Sequence, residues 1–399
     1  MFSFDNIYEK ENYIEPLFLN LKLIIQRYKL KKLFFILLLN SVLLINLDSN
    51  ERKEKIKDNQ IILKTSNHNI SSINNTIPTI NFNHTNNTVH IAINIDNKYY
   101  YPCLVFLTSL LDNRKNSTFY QLHILKGNGL NESLYEKIST IVNQYGNNHI
   151  HINYHDMNDQ FKKATHGRYI SIADYYRIAL PSLLPTVDKI IYIDTDVINF
   201  KDLTEMYSLE FKDDIYLLGT LDKIYMLNEL KKQFQNVTRY MNAGILLMNL
   251  KSMRKYRIEE KIRAYVRTHF LNHHDQTAIN AVCHDNFDIL SIKYGCFSFN
   301  KFEDIVSYND KQDESNRYSL EELKQAFYEP TLLHFVGYVK PWEKKCKNEN
   351  QKYWWYYAKK SGFYEEISKF YGFNEKDVEE MLKKIPEDGG LLRRNIKNL

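Results

Sequence analysis

The chain has 399 residues, 44% of them hydrophobic, 25% charged and 14% aromatic, which excludes a collagen, a coiled-coil rod, a disulfide mini-protein and a wholly disordered chain. Its net charge of +5 has an address: residues 1–64 carry +3, and 391–399, through Arg393, Arg394 and Lys397, carry another +3, which leaves 65–390 at −1. The bulk of the chain is therefore no electrostatic match for nucleic acid, and the four cysteines form neither a CxxC pair nor a dense framework.

The first predicted element is the run LFFILLLNSVLLINL (33–47), preceded by Lys22, Arg27, Lys29, Lys31 and Lys32. Fifteen helical residues span about 22 Å, and snorkelling of the flanking lysines extends the reach from Leu30 to about 27 Å, near the thinner endoplasmic reticulum bilayer. The basic flank lies N-terminal, so the run is expected to be a single-pass type II membrane anchor. Residues 1–32 would then be cytoplasmic and the rest lumenal (Golgi or endoplasmic reticulum in a eukaryote). Residues 48–88 lack apolar periodicity, are rich in Asn, Ser, Thr and Lys, and are expected to form a disordered stem.

From 89 the texture changes. VHIAINI (89–95), QLHIL (121–125), HIHINY (149–154), KIIYID (189–194), DIYLLGT (214–220) and AGILLMNL (243–250) are short apolar runs of strand character. Segments of helical period lie between several of them, such as 132–145 and 172–180. Strands alternating with helices predict an α/β fold with a mainly parallel sheet covered on both faces. One more apolar strand, LLHFV (332–336), precedes helix-forming text from 352 to 384. No internal repeat and no Gly-rich phosphate loop occurs. The aromatic stretch YWWYYAKKSGFY (353–364) has the helical spacing of a core segment, with contact to an acceptor sugar as the competing reading.

Two motifs carry chemistry. In IIYIDTDVI (190–198) a buried strand delivers Asp194 and Asp196 at its carboxyl end, where open α/β sheets place their ligands. Residues i and i+2 of a strand point the same way, so both carboxylates can converge on one hard cation such as Mg²⁺ or Mn²⁺. In LLHFVGYVKPW (332–342) a strand ends at His334, Gly337 permits close backbone approach, and Lys340 can neutralise phosphate oxygens.

The order Asp-x-Asp, YMNAGILLMNL, HHDQTAIN and then HxxGxxKPW resembles the family 8 glycosyltransferases, retaining enzymes that include glycogenin and bacterial lipopolysaccharide galactosyl- and glucosyltransferases. The resemblance covers roughly 89–345 and implies a GT-A catalytic domain there, with a helical C-terminal extension over 346–399. It implies a UDP-hexose donor, a carbohydrate-bearing acceptor and a divalent cation, usually Mn²⁺. Position by position, Asp194, Asp196 and His334 match metal ligands, and Gly337 and Lys340 match diphosphate contacts. Asn242, Asp275 and Gln276 match positions around the donor sugar, and Arg177 in ADYYRIALP matches an arginine that helps hold the donor. Asp96 and Asn97 match the uridine-binding start of the fold, although Ile95 stands where the family often carries an acidic residue. An ion pair of Arg177 with Asp194 is the competing structural reading for that arginine.

The resemblance implies retention of anomeric configuration. Gln276 sits where a nucleophile would, but an amide is a poor one, so Asp275 is the stronger candidate to stabilise an oxocarbenium ion, and front-face attack is expected. The alternative function is a catalytically inactive glycosyltransferase-like protein that binds glycans or nucleotides. A glycosidase is excluded, because its carboxyl groups must flank the scissile bond instead of sharing one strand end.

Overall fold

A computed structural model of the chain describes residues 88–385, apart from 128, 158–159, 162–170, 235–236, 270 and 272. The expected anchor (33–47), its cytoplasmic flank (1–32), the stem up to residue 87 and the chain after 385 lie outside the described residues; Thr88 already opens the first strand. Among the described residues no helix is long and apolar enough to cross a membrane.

Seven strands form the central sheet: β1 (Thr88–Ile95), β2 (Phe119–Lys126), β3 (Ile150–Asp156), β4 (Lys189–Ile193), β6 (Leu217–Leu221), β7 (Met241–Asn249) and β8 (Phe287–Ile289). Their order is β3-β2-β1-β4-β7-β6-β8. The pairings β1–β2, β2–β3, β1–β4 and β6–β8 are parallel. Both pairings of β7 are antiparallel. The result is the mixed, mainly parallel α/β sheet expected from the alternating pattern. The antiparallel β7 was not legible, because AGILLMNL is apolar throughout and an apolar run carries no mark of direction.

Period-two alternation assigns the two faces. Val89, Ile91, Ile93 and Ile95 of β1 join Ile245 and Leu247 of β7 in one core, under the buried helix α1 (Tyr100–Asp112) and α2 (Ser133–Tyr145). Ala92, Leu246 and Met248 enter a second core on the opposite face, with residues of α3 (Ile258–Thr268) and α4 (His274–Cys283).

A small second sheet decides where the site falls. Strand β10 (Leu332–His334) pairs antiparallel with β5 (Val197–Asn199) and parallel with β9 (Cys296–Phe297). The register sets His334 opposite Val197, and the Phe335 amide donates to the Asp196 carbonyl at 3.0 Å. Two segments about 140 positions apart in sequence are thus stitched together where both motifs sit.

The C-terminal helices α5 (Gln351–Lys360), α6 (Tyr364–Tyr371) and α7 (Glu375–Leu382) follow. Trp354, Trp355 and Tyr357 of α5 are wholly buried and pack in one cluster with Phe200, Leu333 and Trp342. The Trp355 indole donates to the Pro341 carbonyl at 3.2 Å. The aromatic stretch is therefore core that braces the segment after Lys340, and its acceptor reading does not fit.

Candidate active site

The site lies at the carboxyl ends of β1, β4 and β6 and beside β7. Asp194 directly follows β4, and its amide donates to the Gly244 carbonyl at 2.7 Å. Asp194, Asp196 and His334 each offer a ligand atom within 4.8 Å of the others, the arrangement the sequence spacing leads one to expect. Asp196 and His334 are buried. The His334 Nε2 stands 3.2 Å from the Asp196 Oδ1. Asp196 Oδ1 and His334 Nδ1 are buried and make no other hydrogen bond. Unpartnered buried polar atoms are costly, and a cation bound between these ligand atoms would satisfy the carboxylate oxygen. Two carboxylates and an imidazole suit Mn²⁺ or Mg²⁺ with open positions, so these residues fit the divalent ion the resemblance implies.

Gly244 makes the approach possible. A methyl group there would stand 2.3 Å from the His334 ring, 2.7 Å from Asp194 Oδ2 and 3.0 Å from Asn242 Oδ1. Only a residue without a side chain leaves room at this point of β7.

Lys340 reaches the same carboxylate from the other side. Its ammonium donates to Asp196 Oδ2 at 2.5 Å and to the Phe335 carbonyl at 2.8 Å. Burial alone would push the Asp196 carboxyl up, but Lys340 and His334 outweigh it and hold the group well below the usual carboxylate range. Gly337, three residues earlier, has φ +95°, a backbone state that favours glycine.

Arg177 is buried at the centre of a charged network. Its guanidinium donates to Asp194 Oδ1 at 3.0 Å, to the Asp174 carbonyl at 3.0 Å and to the Ala243 carbonyl, and its Nε lies 2.9 Å from Asp275 Oδ2. It also stacks 4.1 Å over the Tyr192 ring. The Tyr192 hydroxyl lies 2.8 Å from Asp194 Oδ1 and 2.6 Å from Asn94 Oδ1. The segment that carries Arg177 is a 3-10 helix, Ile172–Ala179, instead of the α-helix its period suggests. In that tighter coil i and i+3 eclipse, which turns Asp174 and Arg177 toward one cleft. The ion pair with Asp194, the competing structural reading, is present.

Asp275 is buried, and burial pushes its carboxyl up to about 6 against the pull of Arg177. Gln276 is fully engaged: its Oε1 accepts from the Ala243 amide at 3.0 Å and the Asn242 side chain at 3.3 Å, and its Nε2 donates to Asp222 Oδ2 at 3.0 Å. Asn242 also donates to Asp222 Oδ2, at 2.8 Å. Asp222, buried just past β6, was missed by the sequence reading. A single Asp in GTLDK has no motif around it, and only its place at a strand's carboxyl end could have flagged it.

Asp96 lines the cleft with Asn94, Tyr99, Asp174, Asp194 and Asp196. Asn97 does not: its amide donates to the Gly129 carbonyl at 2.8 Å and its oxygen accepts from the Asn131 amide at 3.1 Å. It braces a neighbouring turn.

Residues 90–346 match the model of the family described as Glycosyl transferase family 8. General stress protein A of Bacillus subtilis is 24% identical over 279 residues, 67% of this chain and 92% of that protein. A lipopolysaccharide 1,2-glucosyltransferase of Escherichia coli is 24% identical over 263 residues, 64% of this chain and 73% of that protein. The crystal structure of the galactosyltransferase LgtC in complex with donor and acceptor sugar analogs shares the fold, with TM-score 0.58 and 21% identity over 68% of this chain and 96% of that one. The chain belongs to glycosyl transferase family 8 and is a glycosyltransferase.

Proposed function

We propose that the chain moves a hexose, glucose or galactose, from a UDP-sugar to a glycan, glycolipid or protein acceptor, with retention of configuration and with a divalent cation held by Asp194, Asp196 and His334. The observation that carries this reading is the charge balance of the cleft. Asp194, Asp196 and Asp275 share two cations, Arg177 and Lys340, which leaves the paired cluster net negative. A nucleoside diphosphate is itself an anion and cannot enter such a site unless a further positive charge comes with it. When bound, the cation supplies Lewis-acid stabilisation of the departing diphosphate.

The chain's own residues supply the rest. Lys340 is placed to donate to a phosphate oxygen in place of Asp196, and the positive φ of Gly337 lets the backbone turn there. Arg177 fixes Asp275 and Asp194 relative to one another, so their charge is set before the donor arrives. Asp275 and Asp222 offer negative charge to an anomeric carbon that becomes cationic. Gln276 is a positioning residue: its carbonyl oxygen already accepts two hydrogen bonds, which leaves it unfit as a nucleophile. That favours attack from the face the diphosphate leaves, with a diphosphate oxygen taking the acceptor's proton. Asp96 and Tyr99 line the end of the cleft where the nucleoside would lie.

A UDP-release assay over a panel of UDP-hexoses, with Mn²⁺ and with chelator, tests the reading. Release from at least one donor, abolished by chelator and by Asp196→Ala, is expected. No release from any donor, or full activity in Asp196→Ala, would overturn it.

A further inference from the structure

A backbone amide or carbonyl that leaves a sheet ladder must find another partner. The β6–β7 ladder breaks beside the site. Gly219 pairs with Leu246, but Leu221, two positions on, pairs with Met241, five positions from Leu246. The stretch of β7 passed over, 242–245, holds Asn242 and Gly244 of the site. Asp222 follows the break directly, so whatever fixes the break fixes Asp222.

Side chains of one later segment take up the loose backbone. The Leu221 carbonyl accepts from the Tyr308 hydroxyl at 2.5 Å, and the Leu221 amide donates to the Tyr318 hydroxyl at 3.3 Å. The Asp222 carbonyl accepts from the Gln312 side-chain amide at 2.9 Å, and the Asp222 amide donates to the Tyr240 carbonyl at 2.8 Å. Gln312 and Tyr318 are buried and held in turn. Asn309 exchanges two hydrogen bonds of 2.9 Å with the Tyr318 backbone, and Arg317 donates to the Gln312 carbonyl at 3.2 Å. The Tyr308 ring, on the helix Phe302–Asp310, meets the Phe297 ring edge-on at 5.5 Å. Phe297 meets the His334 ring edge-on at 6.1 Å. Tyr308 therefore braces the Asp222 segment against the strand beside His334.

We infer that Tyr308 and Gln312 are positioning residues for sugar transfer: they hold the β6 break in one geometry, which keeps the Asp222 carboxylate in place against Asn242 and Gln276. This rests on the proposed function, in which Asp222 offers negative charge to the anomeric carbon. The division of labour is visible in the contacts. Asn242 and Gln276 orient the carboxylate, whereas Tyr308 and Gln312 fix the backbone that carries it. An interaction felt at a carbon that becomes cationic only in the transition state appears in kcat and not in donor binding. A misplacement of about 1 Å costs on the order of 10²-fold, so losing one of several holds is expected to cost about tenfold.

The test uses the full chain with Mn²⁺ and the UDP-hexose from which wild type releases UDP fastest. Tyr308→Phe removes one hydroxyl and keeps the ring, and Gln312→Leu keeps the bulk and removes the donor. In each, kcat should fall about tenfold, while KM for the donor and the affinity for UDP stay within about twofold of wild type. Leu323→Ala, an apolar truncation in the same buried cluster as Tyr318, is the stability control. It should lower the melting temperature and leave kcat within about twofold. Gln312→Leu strips a partner from a buried carbonyl and can fail to fold, in which case Tyr308→Phe decides. A kcat within about twofold of wild type in Tyr308→Phe would overturn the inference. So would an equal kcat loss in Leu323→Ala, or a loss carried by KM and UDP affinity instead of kcat. Wild type that neither binds UDP nor releases it from any donor brings down the proposed function and this inference with it. Turnover by wild type with the variants unchanged brings down the inference alone.

Discussion

Replacing Gly244 by Ala adds one methyl group at the point where β7 passes under both motifs. The backbone tolerates the change, since Gly244 does not adopt a positive φ. Sterics do not: the new carbon would sit 2.3 Å from the His334 ring and 2.7 Å from Asp194 Oδ2. Non-bonded carbon atoms rest about 3.5–4.0 Å apart, so the imidazole must retreat by more than about 1 Å. The strand cannot yield instead, because the Gly244 carbonyl holds the Asp194 amide and its own amide donates to Asn242 Oδ1 at 2.9 Å. A displacement of about 1 Å in a catalytic group costs on the order of 10²-fold in rate. Overpacking adds a stability loss of about 1–3 kcal/mol. Gly219→Ala on neighbouring β6 is the control. Its methyl would meet the flexible ends of Leu246 at 3.0 Å and Met241 at 3.1 Å, not Asp194 or His334. UDP release in Mn²⁺, with melting temperature read alongside, should show a large activity loss in Gly244→Ala and a modest stability loss with near-normal activity in Gly219→Ala. Activity in Gly244→Ala within roughly threefold of wild type would refute the reasoning, because the predicted displacement cannot leave the rate intact.

Three further outcomes follow from the same geometry. Arg177→Met leaves Asp194 and Asp275 without their shared partner, and breaking a buried pair costs about 3–5 kcal/mol in urea denaturation, whereas a loss below about 1 kcal/mol would show the network to be dispensable. Lys340→Met should slow UDP release yet tighten Mn²⁺ binding in the absence of nucleotide, since the ammonium no longer competes for Asp196; weaker Mn²⁺ binding in calorimetry would contradict this. The third concerns pH. His123 is 3% exposed between His90 and His155, with ring nitrogens 3.3 Å and 3.0 Å away, and burial followed by these neighbouring imidazoles lowers it to about 3. A depressed histidine stabilises the fold fully above its unfolded value of about 6.5 and progressively less as pH falls toward 3, so acidification to pH 5 removes ~2 kcal/mol. Thermal unfolding at pH 7.5 and 5.0 should show that loss in wild type and a smaller one in His123→Phe; equal losses would dismiss the imidazole chain as its source.

What was legible in the sequence were the pieces with local marks. The strand-end position of Asp194 and Asp196, the short apolar runs and the HxxGxxKPW spacing led to the Asp194–Asp196–His334 cluster and the mainly parallel sheet. What was not legible depends on pairing. Nothing in LLHFV announces that β10 runs antiparallel to β5, yet that register sets His334 beside Asp196. Nothing in GTLDK marks Asp222, whose role is visible only once β6 brings it against Asn242 and Gln276. Asn97 matches the uridine-binding start of the family's fold in the sequence, while in the structure its side chain bonds a turn 32 residues away.

The most direct test of the account is manganese uptake itself. The full chain, with UDP present, is titrated with Mn²⁺ and the free ion is followed by electron paramagnetic resonance. The account predicts one tightly held ion per chain, lost in Asp196→Ala and in His334→Ala. No uptake by wild type, or uptake unchanged in both variants, would contradict it.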